Sequence, residues 1–252
     1  MIDTKLMTDI SEYCKQLQKN NSPLLNHPHF RNFLIDLAKY FGMPGCESRI
    51  SLWPCLDDKT PVTVFDKYYF YQDTWAARKI FEIHPRSLVD SGSTALLVGI
   101  VSQFVPTISV DVRPLPISLP GLTCIRASIT ELPFKKHTIE LLSSMCVIEH
   151  IGLGRYGDAL DTQGSIKAFK EVSRVIKPGG HFLFSVPLSH TPGLSFNAHR
   201  IFNKQQVLDC LQDFSLKDEL FLFPHPGSEA EIAKLQNFQY CIWCANLVKT
   251  AT

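Results

Sequence analysis

No stretch of the 252-residue chain is long and apolar enough to cross a bilayer. The longest apolar run, Ala95–Val105, is interrupted by Ser102 and Gln103 and falls short of the roughly 20 residues a spanning helix needs. Neither sign of charge dominates: 25 Lys and Arg face 24 Asp and Glu, for a net charge of +1. There is thus no global field to draw in nucleic acid or an acidic membrane, and neither is expected as a partner. The eight cysteines show no regular spacing, and several lie in apolar runs, such as Cys124 in LTCIRA and Cys146 in SSMCVIEH. Cysteine there behaves as a small hydrophobe, which favours a reducing, cytoplasmic setting over a disulfide scaffold. The first twenty residues mix charges throughout without an apolar centre, so no secretory signal is expected. Internal repeats and low-complexity tracts are lacking too. So is a G-x-G-x-x-G after the first predicted strand, which a dinucleotide fold should show.

What is present is a 45% hydrophobic, 19% charged composition, enough for one large α/β domain with or without an extension. Residues 1–86 read as a helical extension or cap. Leu6, Ile10, Tyr13 and Leu17 recur at helical spacing, as do Phe30, Phe33, Leu34, Leu37 and Phe41 before the stop signal Gly42-Met43-Pro44-Gly45. A further helical pattern runs over Asp73–His84. Residues 87–252 read as the main domain, where short apolar runs alternate with helical patterns, the mark of βαβ units and a parallel sheet. Strands are predicted at Ser87–Asp90, Thr107–Val112, Leu122–Arg126, Ile139–Cys146 and His181–Pro187. Helices are predicted at Ala95–Phe104, Ser165–Ile176 and Lys204–Gln212. Two β-rich runs, Phe214–Phe223 and Phe238–Val248, follow.

Two acids stand where such a sheet binds ligands, beyond the carboxyl ends of its strands. In Val89-Asp90-Ser91-Gly92-Ser93 an acid precedes a glycine that lets the backbone turn tightly, so Asp90 can face a ligand's ammonium group. The same segment also reads as a plain turn into a helix. Asp111, ending the next strand, can accept both hydroxyls of a ribose, in any nucleotide cofactor; alternatively it is a solvated turn residue or a partner of Arg113.

A third, ordered set of segments chooses among cofactors. Leu132-Pro133-Phe134 precedes the fourth strand, Glu149-His150 follows it, and Arg174-Val175-Ile176-Lys177-Pro178-Gly179-Gly180 precedes the fifth. This set resembles the class I S-adenosylmethionine (SAM) dependent methyltransferases. The resemblance implies a Rossmann-like, seven-stranded, mostly parallel sheet. VDSGS, VDVRPLP, IEHIGLGRYGD, FSVPLS and FNAHRIF also look like a domain-of-unknown-function family first described from nematode proteins, over roughly residues 65–220. By that resemblance Asp90, Ser91, Gly92 and Ser93 would line the methionine end of SAM, and Asp111 would take its ribose. Ala127, Ser128 and Ile129 would flank the adenine, with Met145 and Cys146 as the floor. Thr94 and Leu96 stand where the superfamily commonly has further glycines.

Methyl transfer needs alignment above all, and a hydroxyl acceptor also gains from a general base. His150 and Glu149, after the fourth strand, and His199, after the fifth, are the candidate catalytic residues; Glu149 and His150 also read as loop caps, while His199 is polar and loop-borne, unlike a core histidine. Asn197 and Arg200 flank His199, and Arg155, Tyr156 and Asp158 sit in a loop with three glycines, so all five are candidate acceptor-binding residues. Arg155 and Arg200 have the fork to hold a carboxylate or phosphate. The alternative is an Arg–Asp pair tying the loop down. Cys241-Ile242-Trp243-Cys244 reads as a buried strand, not a metal site, since zinc would need Cys46 and Cys55 to converge on it. The expected activity is methyl transfer to oxygen or nitrogen of a small-molecule or sugar-like acceptor. A non-catalytic binding module of the same fold is the alternative, and an oxidoreductase a more distant one.

Overall fold

The computed structural model describes residues 4–45 and 51–251. The chain divides into two compact units, one up to Phe65 and one from Asp66. The first holds α1 (Thr4–Lys19), a 3-10 turn at Pro23–Asn26 and α2 (Phe30–Phe41). Gly42 caps α2 through its N–H to the Lys39 and Tyr40 carbonyls, at the expected stop signal. Phe30 and Phe33 stack at 6.2 Å on one face of this helix.

The second unit opens with α3 (Lys67–Ile83), which starts earlier than the periodicity predicts because Asp66 caps it, accepting from Tyr69 N–H at 3.1 Å. The expected boundary after residue 86 would set α3 apart from the sheet. Instead, Trp75, Ala76 and Ile80 bury against sheet residues, and the division falls between Phe65 and Asp66.

After α3 come β1 (Leu88–Ser91), α4 (Ala95–Val101), β2 (Thr107–Asp111), β3 (Leu122–Arg126), β4 (Ile139–Met145), α5 (Gly164–Val175) and β5 (Ile176–Leu188). A small hairpin, β6 (Gly193–Ser195) with β7 (His199–Ile201), leads to α6 (Lys204–Cys210). Then β8 (Phe214–Leu222), β9 (Pro226–Gly227) and β10 (Cys241–Lys249) complete the unit. The main sheet runs β3-β2-β1-β4-β5-β10-β8-β9. The first five strands are parallel, while β10 lies antiparallel between β5 and β8. Eight strands replace the expected seven because the two-residue β9 pairs with the outer edge of β8. β5 begins directly after α5, at Ile176, which pairs with Ile139. A Cβ on Gly180 would come within 2.9 Å of the Glu140 carbonyl, so glycine is required where β5 settles against β4.

Both sheet faces are covered, as a parallel sheet requires. Because side chains alternate along a strand, Leu142, Phe182, Phe184 and Trp243 join Phe169 and Val172 of α5. Their neighbours Leu141, Leu183 and Cys244 join Trp75 and Ile80 of α3 and Val101 of α4 on the other face. Cys241 and Cys244 therefore pack in different layers and cannot share a metal; Cys46 lies outside the described residues. The Leu-Pro-Phe segment is fixed from α5. Glu171 accepts from Leu132 N–H at 2.7 Å, and Arg174, paired with Glu171, donates to the Phe134 and Leu132 carbonyls at 2.9 and 3.1 Å. No helix among the described residues is long and apolar enough to cross a membrane.

Candidate functional site

A cleft of about 170 Å³ opens beyond the carboxyl ends of β1, β2 and β4. It gathers Ser91, Gly92, Ser93, Asp111, Ala127, Ser128, Ile129, Met145 and Cys146, nine of the ten residues expected at the cofactor. The tenth, Asp90, is fully buried beneath it. Its carboxylate accepts from Ser93 N–H at 3.1 Å and from the Ser93 and Ser143 hydroxyls at 2.6 Å. Ser93 Oγ in turn accepts from Met145 N–H at 3.0 Å. Asp90 thus staples the turn after β1 to the end of β4 and does not face the cleft. Burial raises its pKa to about 6.

Gly92 carries the cleft's one close backbone approach. It has φ +74°, and a Cβ there would meet Val147 at 2.9 Å and come 3.6 Å from Asp111 Oδ2. Asp111 Oδ1 accepts from Arg113 N–H at 2.6 Å, which holds the carboxylate at the strand end. Of the two residues that stand at the later glycine positions, Thr94 borders the cleft. Thr94 caps α4, accepting from Leu97 N–H and donating to Asp73 at 2.7 Å, while Leu96 is 77% exposed. The letters G-x-G-x-x-G do occur, at Gly152–Gly157, but after the fourth strand, in a loop that opens no helix.

A second pocket, of about 390 Å³, adjoins the cleft and shares Tyr69, Cys146, His150 and Tyr156 with it. It unites the three candidate catalytic residues: Glu149, His150 and His199. His150 Nδ1 lies 2.6 Å from the Ala198 carbonyl, which can only accept, so Nδ1 carries the proton and Nε2 is the basic nitrogen. Arg155 lies 3.4 Å from the same Nδ1, but its better bond is to the Ala198 carbonyl at 3.1 Å. Burial drives the His150 pKa down to about 4 and the Glu149 pKa up to about 8. Both are therefore uncharged near neutrality, and their 3.6 Å contact is not an ion pair. Burial, then Arg155, also lowers the pKa of His199. Glu149 Oε2 and His199 Nε2 are the buried side-chain polar atoms without a hydrogen-bond partner among the described residues. Each such atom costs about 1–3 kcal/mol unless a ligand satisfies it.

The five expected acceptor-binding residues divide. Tyr156 lines both cavities, with the Arg113 and Arg155 guanidiniums 4.4 and 5.1 Å from its ring centre. Arg155 lines the second pocket. Asp158 borders the cleft, but its carboxylate accepts from Gly152 N–H at 2.6 Å and Tyr156 N–H at 3.3 Å, so it ties the loop together. Arg200 does not join Arg155 in a clamp. Its guanidinium donates to the Ile151 and Asp161 carbonyls at 2.5 and 3.1 Å and to Ser165 Oγ at 3.1 Å, and the residue lines neither cavity. Asn197 is the exposed tip of the β6–β7 hairpin, at φ +64°, a turn former outside both cavities. Sequence reasoning missed Tyr68, Tyr69 and Gln72, which α3 brings to the second pocket, and Tyr240 just before β10. Gln72 Oε1 accepts from the Ser185 hydroxyl at 2.6 Å and the Cys146 thiol at 2.9 Å, joining α3 to the cleft floor. Gln72, buried one turn after Tyr68 on the face of α3 that packs on the sheet, was the available signal.

Among solved structures, the chain is similar to a geranyl diphosphate C-methyltransferase from Streptomyces coelicolor A3(2), solved with S-adenosyl-L-homocysteine. That match has a TM-score of 0.50 and 10% identity, covering 70% of this chain and 78% of that one. A geranyl diphosphate methyltransferase in complex with SAM gives 0.51 at 12% identity, covering 70% and 85%. A Galdieria sulphuraria protein assigned as a sarcosine dimethylglycine methyltransferase gives 0.52 at 12% identity, covering 73% and 86%. The fold is that of the class I SAM-dependent methyltransferases. Residues 130–217 match the family described as "Caenorhabditis protein of unknown function, DUF268". This stretch contains IEHIGLGRYGD and FNAHR but not VDSGS or VDVR. No curated protein matches the chain.

Proposed function

We propose that the protein is a cytoplasmic methyltransferase that binds SAM in the cleft and methylates an oxygen or nitrogen of a small molecule in the adjoining pocket. The observation that carries this reading is the meeting of the two cavities at His150 and Cys146, which would let a cofactor and an acceptor lie side by side next to an imidazole. The residues present fit the cofactor: Gly92 turns the chain tightly at φ +74° with no side chain at the cleft, and Asp111 offers a carboxylate beside it. Asp111 would hold the ribose hydroxyls, Ala127–Ile129 the adenine, and Ser91–Ser93 with Met145 and Cys146 the methionine end. When bound, SAM supplies an electrophilic methyl group on a sulfonium. The chain's own part is to align the acceptor, exclude water and receive the proton an O–H or N–H acceptor must lose. His150 Nε2 is the nitrogen available for the last task, since its Nδ1–H is pinned to Ala198; burial makes it a weak base, so it would take the proton only as the methyl group transfers. The balanced charge fits an acceptor that is neither nucleic acid nor membrane.

Calorimetric titration with SAM, S-adenosylhomocysteine and NAD tests this directly. SAM and its demethylated product should bind and NAD should not. A folded protein that binds neither adenosyl compound sinks the proposal.

A further inference from the structure

The pocket beside the cleft has an unusual inventory. Glu149 is 1% exposed, and its Oε2 has no partner among the described residues; nor has Nε2 of His199. Both residues line the pocket, so two hydrogen bonds are left for an occupant. Tyr68, Tyr69 and Tyr240 supply flat walls, with the His199 and Tyr240 rings edge-on at 4.8 Å. Formal charge is scarce: the cation among the lining residues is Arg155, which is exposed and bonded to Ala198, and Asp66 is occupied capping α3. Arg200, the other cation expected here, is turned onto backbone carbonyls.

Among the lining residues a carboxylate or phosphate would meet a single cation, Arg155, whose guanidinium is exposed and already bonded to the Ala198 carbonyl. An ammonium group would face imidazoles held neutral by burial and Arg155. A neutral ring bearing hydroxyls suits both features, its C–H faces lying on aromatic walls and its edge hydroxyls reaching the two orphaned atoms. We propose that this pocket takes a neutral polyhydroxylated ring of the hexopyranoside kind, with hydroxyls bonded to Glu149 Oε2 and His199 Nε2. The proposal rests on reading the pocket as the acceptor site. Within it, Glu149 acts as a donor through its carboxylic O–H, so that it orients the ring and takes no proton from it.

The test titrates the full chain, loaded with S-adenosylhomocysteine, with neutral methyl hexopyranosides of gluco, galacto and manno configuration. The matching uronates and 6-phosphates are run beside them. Imidazole proton signals are followed by NMR, those of His199 being assigned by their loss in His199→Phe. At least one neutral hexoside should move the His199 signals and bind ten-fold or more tighter than its uronate and phosphate. Glu149→Gln, which keeps a donor and an acceptor, should bind within about three-fold of the parent. Glu149→Ala and His199→Phe should each lose ten-fold or more. Equal or tighter binding of the anionic forms, no effect of any neutral hexoside on His199, or unchanged binding in His199→Phe would overturn the proposal. A parallel SAM titration separates the two readings. Hexoside binding without SAM binding removes the methyltransferase assignment alone, and SAM binding with anion preference removes this proposal alone.

Discussion

Glu149→Gln should flatten part of the dependence of stability on pH. The Glu149 carboxyl is buried among Cys146, His150, Tyr69 and Tyr240, with Arg155 the nearby cation, and its pKa rises from 4.5 to about 8. A carboxyl whose folded pKa is raised keeps its proton while the unfolded chain gives it up. Between pH 4.5 and about 8 the folded state therefore binds more protons, and stability falls as pH rises, by about 1.4 kcal/mol per pH unit. Below pH 4.5 both states are protonated and the effect vanishes. The whole window amounts to about 5 kcal/mol, an upper bound for a group that can relax on ionising.

Other groups act elsewhere on the pH scale. His150, lowered to about 4, costs stability as pH falls from 6.5 towards 4, and Asp90, raised to about 6, acts between 3.8 and 6. The interval from pH 6.5 to 8.5 isolates Glu149 from both. Across it the parent should lose about 2 kcal/mol relative to Glu149→Gln. Urea unfolding of both proteins at pH 6.5, 7.5 and 8.5 measures this, since any fixed cost of the substitution cancels between pH values. Parallel curves across that interval, within about 0.5 kcal/mol, would refute the burial argument.

Asp111→Ala should weaken SAM by ten-fold or more in calorimetry; an unchanged affinity means the ribose lies elsewhere. Gly92→Ala forces a side chain onto φ +74° and against Val147, so it should cost about 1–3 kcal/mol and weaken SAM binding, read by urea unfolding and titration. Arg200→Ala removes two bonds to the loop and one to Ser165 of α5, and should speed proteolysis within residues 151–161, whereas a role in clamping an acceptor would leave that loop equally protected. Trp243→Ala, which empties a core position and breaks the bond to Glu219, should cost about 3–5 kcal/mol in urea unfolding.

The fold was legible because helical patterns separate β1 from β2 and β4 from β5 at lengths that suit βαβ units, and because Leu132–Phe134 and Arg174 mark fixed points around β4. The cleft followed from strand ends: once β1, β2 and β4 are located, Gly92, Asp111 and Met145 must converge. β9 escaped notice because two residues carry no period. The roles of the arginines could not be read in advance. Arg155 and Arg200 both flank polar loops, and only the path of the loop decides that one meets Ile151 and Asp161 while the other reaches the pocket. That the Asp90 carboxylate turns to Ser93 and Ser143 is not written in the sequence, because strand alternation fixes a face and not which serines wait there. The α3 tyrosines and Tyr240 are far apart in sequence, and no local pattern links them.

The position of β10 has a consequence for how the protein is made. Residues 241–249 occupy the middle of the sheet, hydrogen-bonded to β5 on one side and β8 on the other. A ribosome must therefore release nearly the whole second unit before β5 can gain its second neighbour. Until then Phe182, Phe184 and Leu183 line an open strand edge. Such an edge invites pairing with another nascent chain. Yield in cells should thus depend on how quickly residues 189–249 follow β5 out of the exit tunnel.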